Sequence, residues 1–254
     1  MSDNPMNSIY VPFNRPVKQS LIETVGITKM GVYIEASSVL VNLLIAFIVI
    51  MELPQLRNIN RSTFNDSTKK RTREAIEAFR RNKKDLPHEA FHGGFILEKI
   101  AFPKSKGHLQ LINTNADENP SVTFNYFSHP EDLHKCVKGI RLVEKLVRSK
   151  PFLNFTKCDK QTINKLLNMS ITANVNMIPR HTNDTKSLKQ FCKDTVITIW
   201  HYHGGCHVGR VVTKDYVVRG VHRLRVIDGS TFRESPGTNP QATVMMLGSK
   251  INAS

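Results

Sequence analysis

Cysteine is scarce in this 254-residue chain. There are four, Cys136, Cys158, Cys192 and Cys206, and no two stand at Cys-x-x-Cys spacing. That removes the usual redox pair and the usual zinc-ribbon ligand pair, and leaves the redox compartment unread. Long apolar runs are missing too. The longest, residues 39–51 (VLVNLLIAFIVIM), has 13 residues and is interrupted by Asn42, against the ~20 that a membrane helix needs. No Gly-x-Gly-x-x-Gly turn occurs, so the sequence contains no glycine cradle for a dinucleotide pyrophosphate. Residues Met1 to Tyr10 are polar and lack the basic-then-apolar pattern of a signal peptide. Acidic residues are outnumbered, 21 to 36, giving a net charge of +15. Such a balance favours acidic or phosphate-rich partners and says nothing about fold.

What is present is first of all enough apolar material, 40% of the chain, to build a sizeable core. Much of the positive charge is local. Between Arg57 and Lys84 stand ten basic and three acidic residues, a net of +7. This can be read as a nucleic-acid patch or as a solvated loop and helix face. The second reading is preferred, because no aromatic strand pair, finger spacing or basic heptad accompanies the charge. No nucleic-acid partner and no membrane span are therefore expected.

Hydrophobic periodicity sketches an α+β chain. Ile9-Tyr10-Val11 and Val32 to Glu35 read as strands, with breaks at Pro12 and Pro16. Phe91–Phe102, His108–Ile112 and Val122–Phe127 read as three more, close enough in sequence to predict an antiparallel meander. Residues 129–149 are the clearest helix. Leu133, Val137, Ile140, Val143 and Val147 form one stripe, Pro130, Glu131 and Asp132 suit a first turn, and Pro151 suits a stop. Further helices are predicted at 160–169 and 185–193, giving a sheet with flanking helices.

Chemistry concentrates in residues 198–248. Trp200-His201-Tyr202-His203-Gly204-Gly205-Cys206-His207 packs three imidazoles and a thiol into seven positions. Metal binding is one reading. The glycine pair argues against a closed zinc cage, no second ligand pair stands at finger-like spacing, and no metal is assigned. A general base is the better fit, because neutral imidazole accepts a hydroxyl proton near neutral pH and glycine lets a flat ligand approach closely. Leu224-Arg225-Val226-Ile227 then reads as a strand ending in Asp228-Gly229-Ser230. Ser235-Pro236-Gly237-Thr238-Asn239-Pro240 reads as a turn, and Gln241 onward as an apolar helix. The free N–H groups at that helix start can face an anion or a reduced, negatively charged ring.

In this order, WH-x-x-G, LRVIDGS and NPQAT-x-MMLG resemble the C-terminal signature of the GMC (glucose–methanol–choline) oxidoreductases. HYHGGC, LRVIDGSTF and SPGTNPQAT are similar to its plant HOTHEAD-like branch, with mandelonitrile lyases nearby. Met1-Ser2-Asp3-Asn4-Pro5, Phe91–Phe127 and Phe191–Trp200 extend the resemblance to about nine-tenths of the chain. The resemblance implies FAD as cofactor and a small-molecule alcohol or hydroxy acid as substrate. For HOTHEAD-like relatives it implies a long-chain ω-hydroxy fatty acid, with cyanohydrin cleavage as the alternative. It implies His201 as the catalytic base and Asn239 as the second polar catalytic residue. Asp228, Gly229, Pro240, Gln241 and Ala242 are implied as the flavin-contacting stretch. His203 and His207 receive no such role.

The resemblance also implies a division of the chain. Residues 1–37 would be an FAD-domain or linker segment and 38–70 an aberrant apolar and basic stretch. Residues 71–200 would be an antiparallel substrate domain, and 201–254 the piece completing the flavin site. The N-terminal Rossmann half is expected to be absent, so that another chain would have to supply it or the product would be an inactive fragment. Six Asn-x-Ser/Thr sequons, together with the resemblance, suggest a secretory ancestry, against the missing signal peptide. Residues 39–51 depart from the family pattern. Back-translated with permitted codons and shifted by one base, they read FGQSPNSIHCHHG, which does resemble it. A local frameshift is the reading. An intact in-frame transcript with no compensating shift would sink it.

Overall fold

The computed structural model describes residues 1–13, 25–37, 93–154, 156 and 188–252. The apolar run 39–51, the basic stretch 57–84 and the helix expected at 160–169 lie outside the described residues. Five strands make one sheet: β1 (Pro5–Pro12), β2 (Val25–Ile27), β3 (Val32–Ser37), β4 (Gly93–Ile100) and β7 (Ile197–Thr198), in the order β2-β3-β4-β1-β7. All the pairings are antiparallel. Strands β5 (His108–Gln110) and β6 (Ser121–Thr123) form a separate hairpin.

The meander predicted from 91–127 is thus corrected. Both edges of β4 are already taken, by β1 and β3, and β5 pairs only with β6. The third predicted strand also stops early, since Asn125 and Phe127 adopt left-handed φ values of 53° and 60°. Leu224–Ile227 is no strand either. A single bridge, Val217 to Arg225, is all it makes, and Leu224 is exposed.

The sheet has two different faces because side chains alternate. One face carries Asn7, Ile9, Val11, Val32, Ile34, Ile96, Glu98 and Ile100. It packs on α1 (Pro130–Val147) and α3 (Leu188–Thr195) through Cys136, Ile140, Val143, Val147, Phe191 and Cys192. Helix α1 starts where predicted, with Pro130 in its first turn and the His129 side chain accepting from the Glu131 N–H. Its buried stripe is rotated slightly, centring on Cys136, Gly139 and Ile140 and leaving Leu133 and Val137 half-buried. Pro151, read as a stop, sits in the first turn of the short α2 (Lys150–Leu153). Cys136 and Cys192 form a disulfide that ties α1 to α3 across 56 residues. In the chain-entropy account a loop of that size contributes about 4 kcal/mol.

Gly139 is fixed by the sheet rather than by the helix. A Cβ there would lie 2.3 Å from Glu98 Oε1 and 2.6 Å from its Cγ. Glu98 is fully buried with both carboxyl oxygens unpartnered, and burial raises its pKa well above the ordinary value, so it packs as the neutral acid. Gly139→Ala would gain ~1 kcal/mol of helix propensity. It would lose more, about 1–3 kcal/mol, by overpacking a carboxyl that has no exit. Urea unfolding should therefore show the variant less stable than the parent.

Candidate active site

The second face of the sheet carries Met6, Ser8, Tyr10, Tyr33, Glu35, Phe95, Leu97 and Lys99, as the register requires. His201 stands at one end of it. Trp200, with φ of 61°, kinks the chain directly after β7 and donates its N–H to Thr198 Oγ1 at 2.8 Å. A bulky residue in the left-handed region carries local strain, and here it turns His201 under the sheet. Stacking of Tyr202 on Phe124, 5.5 Å between centroids, holds the turn from outside.

The first four residues of the chain line this turn. Ser2 and His203 exchange both backbone hydrogen bonds, at 2.7 and 2.9 Å. Asp3 Oδ1 accepts the His201 N–H at 2.9 Å, and its other oxygen accepts the Tyr126 hydroxyl. The His201 ring meets the Tyr33 hydroxyl at 3.1 Å and Asn4 Oδ1 at 3.3 Å, both through Nδ1. His203 donates from Nδ1 to the His201 carbonyl at 2.8 Å. Its second nitrogen is therefore an acceptor, and its role is to brace the turn. Among the described residues no three His, Cys, Asp or Glu side chains converge as metal ligands.

Electrostatics keep this imidazole neutral. Burial first, then the nearby charges of Lys99 and His203, lower the pKa of His201 to about 4. Lys99 lies opposite Tyr33 in the register, pairs with Glu35, and sits 5.1 Å from the Tyr33 ring centroid. Burial brings Lys99 down to about 7. Burial also lifts Asp3 to about 6, against the hydrogen bonds it receives from Thr198, Tyr126 and His201. It raises the Tyr33 hydroxyl, with the negative charge of Asp3 adding to the effect.

Of the remaining predicted residues, Asp228 and Gly229 lie beside the same turn. Gly204 N–H donates to the Gly229 carbonyl at 3.0 Å, and Cys206 N–H to that of Ser230 at 2.8 Å. Residues 228–230 thus run beside 204–206. The Asp228 carboxylate is occupied locally, accepting from Ser230 N and Oγ at 2.8 and 2.5 Å. Gly229 packs so closely that a Cβ would stand 3.2 Å from the Tyr202 carbonyl. Ser235 reaches Asn4 Nδ2 at 3.2 Å, which links the Ser235–Gly237 turn to His201 through a single carboxamide. Asn239 and the first-turn residues Gln241 and Ala242 of α4 (Gln241–Asn252) are exposed.

The start of α4 is the part of this region open to a flat or anionic group, since Asn239, Gln241 and Ala242 are exposed there. The first-turn N–H groups of α4 lie outside its own hydrogen-bond ladder, and the side chains flanking them leave the approach open. The sequence pattern attached no role to Asp3, Asn4, Tyr33, Lys99 or Ser235, although Ser235 opens one of its motifs. Asp3-Asn4-Pro5 belonged to the recognised pattern without a role attached. The one available signal was two polar residues directly before an alternating apolar strand.

His201 supplies a pH prediction. Its folded pKa lies below its unfolded value of about 6.5, so its contribution to stability is present above pH 6.5 and lost as pH falls toward 4. Asp3, shifted the other way, contributes most below about pH 3.8 and loses that contribution as pH rises through 6. Relative to His201→Gln, in which the Asp3 effect largely cancels, the unfolding free energy of the parent should drop between pH 6.5 and 4. A flat difference would contradict the assignment.

Comparison with known proteins agrees with this geometry. The family model described as GMC oxidoreductase matches residues 103–248. Protein HOTHEAD of Arabidopsis thaliana is 59% identical over 98% of this chain and 41% of its own length. An (R)-mandelonitrile lyase-like protein of the same plant is 37% identical over 97% of this chain and 38% of its own. Pyridoxine 4-oxidase from Mesorbium loti shares the fold, with a TM-score of 0.65 at 12% identity over 98% of this chain and 42% of that one. Formate oxidase gives 0.63 at 13% identity over 98% and 45%. The chain spans about two-fifths of the length of the curated relatives it matches. The family model over more than half of the chain and the 59% identity to HOTHEAD place it in the GMC oxidoreductase family, a family of flavin-dependent oxidoreductases.

Proposed function

We propose that this chain forms the substrate-facing part, and the flavin-facing C-terminal part, of an FAD-dependent oxidoreductase acting on a CH–OH group. The observation that carries the reading is His201, which is buried, neutral at pH 7 and, among the described residues, hydrogen-bonded through Nδ1 alone of its ring nitrogens. Such an imidazole is suited to take the hydroxyl proton of an alcohol. The cofactor, when bound, would supply the hydride acceptor. Backbone groups at Asp228, Gly229, Pro240, Gln241 and Ala242 would hold the flavin end, and Asn239 would orient the substrate hydroxyl. On this reading residues 201–254 close the flavin side and the sheet closes the substrate side. The adenosine end of FAD needs residues that lie outside this sequence, because it carries no Gly-x-Gly-x-x-Gly turn.

The substrate class we propose is a long-chain ω-hydroxy fatty acid. Its support is the sheet face leading away from His201, where Met6 and Tyr10 are buried, Phe95 packs edge-on against Tyr10, and Leu97 stands between them and Lys99. That row is apolar enough for an alkyl chain. The resemblance of the motifs to the HOTHEAD-like branch suggests this class, whereas similarity to an (R)-mandelonitrile lyase-like protein would suggest cyanohydrin cleavage with His201 as acid and base.

The test is flavin reduction without oxygen. The purified chain, alone and mixed with the N-terminal FAD-binding portion of a GMC relative, is loaded with FAD and mixed with an ω-hydroxy fatty acid. Bleaching of the flavin absorbance is expected, about 10²–10⁴-fold slower in His201→Ala, as for loss of a general base. Cyanide release from a cyanohydrin without bleaching would favour the lyase reading. Bleaching unaffected by His201→Ala would contradict the role given to His201.

A further inference from the structure

Resting on the reading of His201 as the base, we infer that Asn4 is the positioning residue that fixes its tautomer, so that Nδ1 carries the hydrogen and Nε2 is the atom that accepts the substrate proton. An imidazole has two nitrogens, and only the unprotonated one can act as a base. Which nitrogen that is follows from the partners of the other.

Asn4 settles the matter because its own orientation is forced. Its side chain is 1% exposed. One terminal atom lies 2.7 Å from the Ile100 carbonyl and 2.9 Å from the Ala101 carbonyl. That atom must be the Nδ2 donor, since a flipped amide would set an oxygen against two carbonyl oxygens. Oδ1, a pure acceptor, is therefore the atom facing His201 Nδ1 at 3.3 Å. An unprotonated Nδ1 would leave two lone pairs in opposition inside a buried site. A protonated Nδ1 satisfies both atoms.

Tyr33 is compatible with this and does not compete. Its hydroxyl oxygen, 3.1 Å from Nδ1, can accept a share of the same hydrogen. Ser235 completes the arrangement. Its Oγ accepts from Asn4 Nδ2 at 3.2 Å and from the Gly237 N–H at 3.2 Å, and its hydrogen points to Asn4 Oδ1 at 3.5 Å. The carboxamide that sets the tautomer is thus the one that anchors the Ser235–Gly237 turn. Asp3, next in the chain, fixes the backbone of His201 rather than its ring.

The tautomer is read by ¹⁵N NMR on the full chain labelled in histidine, with His201 assigned by comparison with His201→Gln. No substrate or flavin is needed, so this result stands apart from the flavin-reduction test of function. The expected spectrum at pH 7 shows pyrrole-type Nδ1 and imine-type Nε2 at His201. Tyr33→Phe should leave that pattern unchanged, and Asn4→Ala should give a mixture of tautomers in a protein whose remaining signals are native. Asn4→Asp, taken up as the protonated acid whose hydroxyl donates to the Ile100 and Ala101 carbonyls, keeps an acceptor against Nδ1 and should restore the single tautomer. An Nε2–H tautomer in the parent chain would overturn the inference outright. So would a switch caused by Tyr33→Phe, which would make the tyrosine hydroxyl the donor that controls the ring. If neither Asn4 variant folds, the parent and Tyr33→Phe spectra decide.

Discussion

The carboxamide of Asn4 has to satisfy four neighbours at once from a position closed to water. Its donors hold the end of β4 at Ile100 and Ala101 and the hydroxyl of Ser235, and its acceptor faces His201. These partners lie 96 to 231 residues away in sequence. Pro5, which follows, confines Asn4 to extended backbone and so pre-sets the direction of its side chain. Leaving any one of these buried groups unpaired costs about 1–3 kcal/mol. The sheet end, the histidine turn and the Ser235 turn therefore form together or not at all. Asp3 doubles the constraint by taking the His201 N–H and the Tyr126 hydroxyl.

Around this hub the chain buries ionisable groups where a core would ordinarily be apolar. Glu35, Glu98 and Lys99 are fully buried, Glu98 against α1 and the Glu35–Lys99 pair on the face that His201 caps. Removing one partner of such a pair is strongly destabilising, because the survivor is stranded. Its effect at the site is electrostatic. Burial opposes a positive charge on His201, and the Lys99 ammonium nearby acts in the same direction, so the imidazole stays available as a base across the neutral range. The chemistry and the unusual polarity of the sheet have one explanation.

How much of this was legible in the sequence varied with the range of the interactions. Helix α1 was legible because its eighteen residues carry a 3.6-residue stripe and an acidic, proline-containing start. Helix α4 was legible from Asn239-Pro240. The family motifs led to His201. The pairing of β4 with β1 and β3 was not legible. Residues 91–127 hold three strand-like runs in a row, and nothing local states that strands formed by residues 5–37 claim β4 first. Leu224–Ile227 has strand composition, yet only one bridge partner reaches it. The Cys136–Cys192 bond joins two helices whose contact depends on the sheet beneath them. Asn4 was hidden for the same reason, since an asparagine ahead of a strand gives no sign of what it will face two hundred residues later.

Residues 1–4 and the histidine turn form one cooperative unit with the sheet. Amide hydrogen exchange of the full chain measures this directly. The N–H groups of Ser2, His201 and His203 should exchange as slowly as those of β1 and β4, through the same opening. In Asn4→Ala they should speed up together with the amide of Gly237, while β3 and α1 keep their protection. Fast exchange of His201 and His203 in the parent chain, beside a protected sheet, would contradict the account.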